Sequence, residues 1–423
     1  MKPLLDIVGR HKRGEPVGVW SLCSAHPLVI EAAMHEANAH GAPLLIEATC
    51  NQVNQFGGYT GMTPDAFHRF VHDLGDRAGF PRNRLWLGGD HLGPNAWQGE
   101  TAATALERSD TLVAQYVAAG FRKIHLDCSM ACADDPAPLP EDLIATRAAR
   151  LCSVAELAWH ESGGEAPVYV LGTEVPTPGG ATEELHELEV TRPESVEATI
   201  ATHRRAFADA GLSMAWSRVI ALVVQPGVEF DHHKVVDYEP AKARALSAFI
   251  ERDPQLVFEA HSTDYQAPDK LRALVRDHFA ILKVGPAATF ALRETLWALA
   301  AIEGELPGIR QRSGLREVAL GVMRADPRHW RSHYRDRDTE TLDLTYSLSD
   351  RIRYYWPHPD VQRACAMLLD NLRGHPLPMT LVSQYLPRQY EAIRTRRLDA
   401  TVDALLADGI ASALRPYIRA CAP

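Results

Sequence analysis

Eight short runs rich in valine, isoleucine and leucine recur over about 290 residues, each separated from the next by a segment with helical patterning. They occupy 17–27, 42–52, 85–91, 123–129, 168–180, 218–230, 256–266 and 279–290. Strands alternating with helices in this way call for a parallel sheet covered by helices. Eight such units predict a (β/α)8 barrel. A doubly wound open sheet is the alternative, and it lacks the expected GxGxxG after the first strand. Helix punctuation agrees with the rhythm: Thr63 followed by Pro64 opens one helix, and Gly120 closes the next.

Every run ends in polar or ionisable residues: Ser24 with His26, Glu47, Asp90 with His91, Asp127, Glu174, Gln225, His261 and Lys283. In a barrel these carboxyl ends converge on one mouth, where active sites sit. The stretch LWLGGDHLGP over 85–94 is the most pointed of them. Gly88 and Gly89 remove bulk so that something can approach the backbone, and Asp90-His91 then offers a proton acceptor and a metal ligand. Strand alternation puts Lys123, His125 and Asp127 on one face with Ile124 and Leu126 on the other, and likewise separates Glu259 and His261 from Phe258 and Ala260. Lys123, His125 and Glu259 read as polar fillers of the barrel interior.

Imidazoles and carboxylates from non-adjacent strands are what a catalytic divalent-metal site requires. The expected ligands are His91, His261 and Glu174, with zinc as the ion and manganese or nickel as alternatives. Asp90, Asp127 and Glu47 are then the candidate proton-transfer groups. Ser24, His26, Gln225, Ser262 and Asp264 are candidate substrate contacts, while Lys283 and the amides near Gly285 are placed to hold a phosphate or hydroxyls.

Beyond Phe290 the strand rhythm stops. Residues 1–305 are expected to form the barrel and 306–423 a helical C-terminal extension packed on it. In that extension Arg351 and Arg353 follow Ser349-Asp350, either as an anion clamp over the mouth or as helix arginines in ordinary salt bridges. The loop 176–193 is a lid or a solvated insertion.

Composition narrows the function class. A net charge of −10 spread along 423 residues argues against a nucleic-acid surface. No run of about 18 apolar residues occurs, so no membrane span is expected. The first residues lack the apolar core and cleavage site of a secretory signal. Seven scattered cysteines without a CxxC pair suit reduced thiols in a cytoplasm.

The run ends Asp-His, Asp-Cys-Ser, Gly-Thr-Glu, Ala-His-Ser and Lys-Val-Gly resemble the strand ends of class II, metal-dependent sugar-bisphosphate aldolases. Over the whole length, segments such as WSLCSAHPLVIEAA, GGDHLGPN, KIHLDCSM, FEAHSTDYQ and SLSDRIRYYWPHP are more similar to the Z-type subunit of D-tagatose-1,6-bisphosphate aldolase. That resemblance implies an oligomeric subunit that supports a separate catalytic aldolase chain acting on a ketohexose phosphate. Some members of the family carry a tagatose-6-phosphate kinase name, but this sequence has no P-loop and no kinase motif set. Other relatives are metal-dependent 4-epimerases of ketohexoses or tagaturonate, which implies an alternative activity: C3–C4 cleavage with Asp90 or Asp127 as base, then re-addition on the other face. The catalytic aldolases resemble Gly-Thr-Ala-His at run five, whereas Val175 stands at that histidine here. Either Glu174 replaces the imidazole or the metal site is incomplete.

Overall fold

The structure is a computed structural model that describes residues 1–174, 180–181, 188–334 and 338–422. Val175 and much of the loop 176–193 lie outside the described residues. Eight strands close into a parallel barrel: β1 (Val19–Leu22), β2 (Leu44–Thr49), β3 (Leu85–Leu92), β4 (Lys123–Leu126), β5 (Val168–Leu171), β6 (Val219–Val224), β9 (Val257–Ala260) and β10 (Ile281–Val284). Between β6 and β9, β7 (Glu229–Phe230) and β8 (Val235–Val236) pair as an antiparallel ribbon. β1 pairs with both β2 and β10, so no edge is left open, and the open-sheet alternative is excluded. These strands are buried on both faces, which is why β6 reads as an unbroken VIALVV.

Many covering helices begin with proline in their first turn, among them Pro27–Ala39, Pro64–Ala78, Pro268–Arg276 and Pro286–Glu305. Proline fits there because its φ is already helical and its missing N–H would have no partner.

Strand alternation builds the interior in layers. At the amino end, Val19, Leu45, Trp86, Val168, Val257 and Ile281 form one apolar cluster. Leu4 and Val8 of the helix Lys2–Lys12 join it and seal that end. Two residues further along the strands, Ser21, Glu47, Lys123, Glu259 and Lys283 are also buried. The interior thus changes from apolar to ionic within one strand period.

The last helix, Val402–Cys421, packs on Pro286–Glu305, Pro27–Ala39 and Pro268–Arg276. Gly409 permits that approach, since a Cβ there would sit 2.1 Å from Thr295 Oγ1. A buried ion pair secures the segment over the mouth. Asp350, with φ of 46°, takes a 2.8 Å bond from Arg293 Nε and a 2.7 Å bond from the Thr289 hydroxyl. This holds the short turn Arg351–Tyr354 against the barrel rim. Among the described residues, no helix is long and apolar enough to cross a membrane.

Candidate active site

The ionic layer is a closed network. Lys123 Nζ lies 2.7 Å from Glu47 Oε1 and 2.6 Å from Glu259 Oε2. Lys283 Nζ pairs with Glu47 and lies 3.1 Å from Asp90 Oδ2. The Ser21 hydroxyl donates to Glu47 Oε2 at 2.5 Å. Glu47 was expected to transfer protons; instead it bridges two ammonium groups below the mouth, with both oxygens committed. Burial alone would lower both lysine pKa values, but the surrounding carboxylates outweigh it and raise them.

Gly88 and Gly89 serve this packing rather than an incoming ligand. A Cβ on Gly88 would meet Glu47 Oε1 at 2.8 Å, and one on Gly89 would meet Leu92 Cδ1 at 2.5 Å and Tyr116 Cδ1 at 2.7 Å. At Gly93 a Cβ would fall 1.8 Å from the Asp127 carbonyl oxygen, so the chain passes there only without a side chain.

Regular alternation would send Asp90 and His91 to opposite faces. A register shift against β4 between Gly89 and Leu92, with His91 at φ of 50°, brings both side chains to the mouth. His91 Nδ1 lies 2.7 Å from Asp127 Oδ2, and His91 Nε2 lies 3.6 Å from Asp90 Oδ2. The Ser129 hydroxyl donates to Asp127 Oδ1 at 2.6 Å. Burial disfavours charge on both partners of the dyad. The Asp90 charge, and after it the bond and charge of Asp127, override burial and raise the His91 pKa, while the bond and charge of His91 hold Asp127 well below the usual carboxylate range.

His125 Nδ1 lies 2.8 Å from Asp90 Oδ1, and His261 Nε2 lies 2.9 Å from Glu259 Oε1. Donor atoms of Asp90, His125, Glu259 and His261 all fall within 4.8 Å of one another, and all four residues are buried. His125 Nε2 is buried with no hydrogen-bond partner. Two imidazoles and two carboxylates suit a divalent transition ion. The charge also fits: among the described residues of this layer four carboxylates, Glu47, Asp90, Asp127 and Glu259, outnumber two ammonium groups, Lys123 and Lys283.

This grouping differs from the expected ligand set. His261 is in it. His91 borders it, with Nδ1 engaged by Asp127. Glu174 is not in it: its side chain is exposed, accepts from the Thr191 hydroxyl, and shares a separate crevice with Ser195 and Thr199. Its place is taken by Glu259, and His125 joins it; both residues were expected to be interior filler. Strand alternation had placed Glu259 and His125 on the inward face, but not at the height where the layers meet.

Above the group lies a cavity of about 80 Å³, bordered by Asp90, His91, His261, Ser262, Lys283 and Arg353. Asp264 also borders it, but its Oδ1 accepts from the Gly285 amide at 3.0 Å and the Ala287 amide at 2.8 Å. The helix start expected to hold a phosphate is therefore capped by the chain's own carboxylate. Burial pushes the Asp264 carboxyl up to about 6. Gln225 turns away to cap its own loop, accepting from the Gly227 and Val228 amides. Ser24 and His26 line a neighbouring pocket instead. Arg351 donates to the His329 carbonyl at 2.6 Å and stacks on Tyr354, so of the two clamp arginines only Arg353 faces the mouth.

Glu229 escaped the sequence analysis because the run 218–230 was read as one strand ending polar at Gln225, whereas the barrel strand stops at Val224 and Glu229 sits on the separate two-residue strand β7. It is 6% exposed, and burial pushes its carboxyl up to about 7, the Ser262 and Phe230 hydrogen bonds opposing that shift only in part. Its folded pKa exceeds the ordinary 4.5, so the fold favours the protonated form. That stability is complete below about pH 4.5 and is lost as pH rises through about 7. Glu229→Gln is expected to be neutral at pH 4 and stabilising by about 2–3 kcal/mol at pH 8. Thermal melts at both pH values check this; an equal gain at both contradicts it.

A family model described as D-tagatose-1,6-bisphosphate aldolase subunit GatZ/KbaZ-like matches residues 4–422. The crystal structure of a probable tagatose 6 phosphate kinase from Sinorhizobium meliloti is 48% identical, with a TM-score of 0.87 over 96% of this chain and 100% of that one. A fructose-bisphosphate aldolase from Campylobacter jejuni is 16% identical, with a TM-score of 0.42 over 87% of this chain and 91% of that one.

Proposed function

The chain belongs to the GatZ/KbaZ-like family of D-tagatose-1,6-bisphosphate aldolase subunits, and from that premise we propose that it supports a separate catalytic aldolase chain in ketohexose breakdown. The observation that carries this is the family match over residues 4–422. It favours the subunit role over 4-epimerisation. Seven free thiols fit a reducing compartment, and we assign the chain to the cytoplasm.

We further assign the mouth to a ketohexose phosphate. Arg353 meets the phosphate, and Ser262 meets a hydroxyl. Asp90, His125, Glu259 and His261 would hold a divalent ion, zinc by donor type, with manganese or nickel as alternatives. Bound there, it would supply Lewis-acid polarisation of a ketose carbonyl. Asp127 orients His91 through Nδ1, leaving Nε2 to take or return a hydroxyl proton at the mouth. Lys283 offsets the negative charge of Asp90 and Glu47.

The test is to mix the purified chain with a tagatose-bisphosphate aldolase catalytic chain. The expected results are a longer thermal half-life or higher specific activity of that chain, and no cleavage of tagatose 1,6-bisphosphate by this chain alone. Chelation-sensitive interconversion of fructose and tagatose by the isolated chain, with no effect on the aldolase, would overturn the proposal.

A further inference from the structure

Beside the mouth lies a second and larger pocket, of about 400 Å³, between the starts of the helices Pro27–Ala39 and Pro359–Arg373. Leu28, Met62, Phe70, Trp356, Val361 and Leu369 make its walls. Cys23, Gln52, Tyr59 and Arg353 border both cavities, so the two meet at Arg353.

We propose that this pocket binds a small organic acid with an apolar body, its acidic group at Arg353. Because Arg353 borders both cavities, this acid would compete with the ketohexose phosphate assigned to the same guanidinium, and three features support the pocket independently of the subunit role. First, the volume lies in the range of small-molecule sites, which combine apolar walls with a few convergent polar groups. Second, among the described residues the Arg353 guanidinium bonds to neutral acceptors, the carbonyls of Ser349 and Asp350 and the Tyr354 hydroxyl. A cation without a bonded carboxylate at the edge of an apolar cavity selects an anion. Third, two wall residues carry buried ring nitrogens with no partner, Trp356 Nε1 and His26 Nδ1. An apolar side chain from another protein would fill the walls but leave the Arg353 guanidinium unanswered.

The probe is 8-anilinonaphthalene-1-sulfonate, compared with N-phenyl-1-naphthylamine, which has similar rings and no acid. The native chain is expected to bind one sulfonate probe with enhanced fluorescence, at least about tenfold more tightly than the neutral probe. Ala366 is exposed on the pocket's rim, and Ala366→Trp is expected to weaken the sulfonate at least about tenfold while leaving the melting temperature unchanged. Arg353→Gln should bring the two probes to equal affinity. A measurement that needs no variant is protection of the half-buried Cys365 thiol, on the same wall, from a disulfide reagent by bound sulfonate. Equal affinity of the native chain for both probes, absence of protection, or indifference to Ala366→Trp would each overturn the proposal. So would a change of oligomer mass in Ala366→Trp with probe binding intact, which would assign the surface to a protein contact.

Discussion

Lys123→Met is expected to lower the free energy of unfolding by about 3–5 kcal/mol at neutral pH. The side chain is fully buried, and its ammonium lies within 2.7 Å of a carboxylate oxygen on each of Glu47 and Glu259. Methionine keeps most of the volume, so the loss is electrostatic rather than a cavity effect. Two carboxylates would then face each other across the barrel with Lys283 as their remaining cation. Lys123 is the largest influence holding the Glu259 carboxyl well below its ordinary range, against its burial, so the deficit shrinks as pH falls. Adding Glu259→Gln should recover part of the loss, because the partner charge goes with it. Urea unfolding of the single and double variants checks this, and a loss under about 1 kcal/mol at neutral pH would refute the network's importance.

If the mouth holds a divalent ion as proposed, His125→Ala is expected to lower its affinity by at least about 100-fold and His91→Ala to change it by no more than about tenfold. The first removes a donor from the group with Asp90, Glu259 and His261, including the nitrogen that has no other partner. The second removes a neighbour whose Nδ1 is engaged by Asp127. Titration calorimetry with zinc and manganese reads both effects. The reverse order, with His91→Ala losing the ion and His125→Ala retaining it, would restore the ligand set expected from the strand ends.

Much of the mouth was legible because a barrel strand leaves a residue-by-residue trace. Burial on both faces makes each strand a short apolar run, and the active end makes each run finish polar. Asp90, Asp127, His261 and Lys283 were found in that way, whereas Arg353 was singled out by the basic and aromatic composition of the helical extension. What was misread has two physical sources. Glu174 ends its run as the others do, yet its side chain turns out to solvent and Thr191. His125 and Glu259 were correctly placed on the inward face, but their height depends on how neighbouring strands are staggered. Thus Glu259 pairs in register with Ile281 and Val223, and no single-strand pattern reports that.

By itself the chain's pattern determined the eightfold strand–helix rhythm, the inward set on each strand, and the end of the barrel that carries the chemistry. These follow from periodicity and burial, which act locally. Only the tertiary structure decided that a bulge turns His91 to the same side as Asp90, that Asp264 caps the helix start a phosphate was expected to use, and that Glu47 is an internal counter-ion. Each of those outcomes depends on distances between strands far apart in the chain, and such distances are set by the closure of the whole barrel.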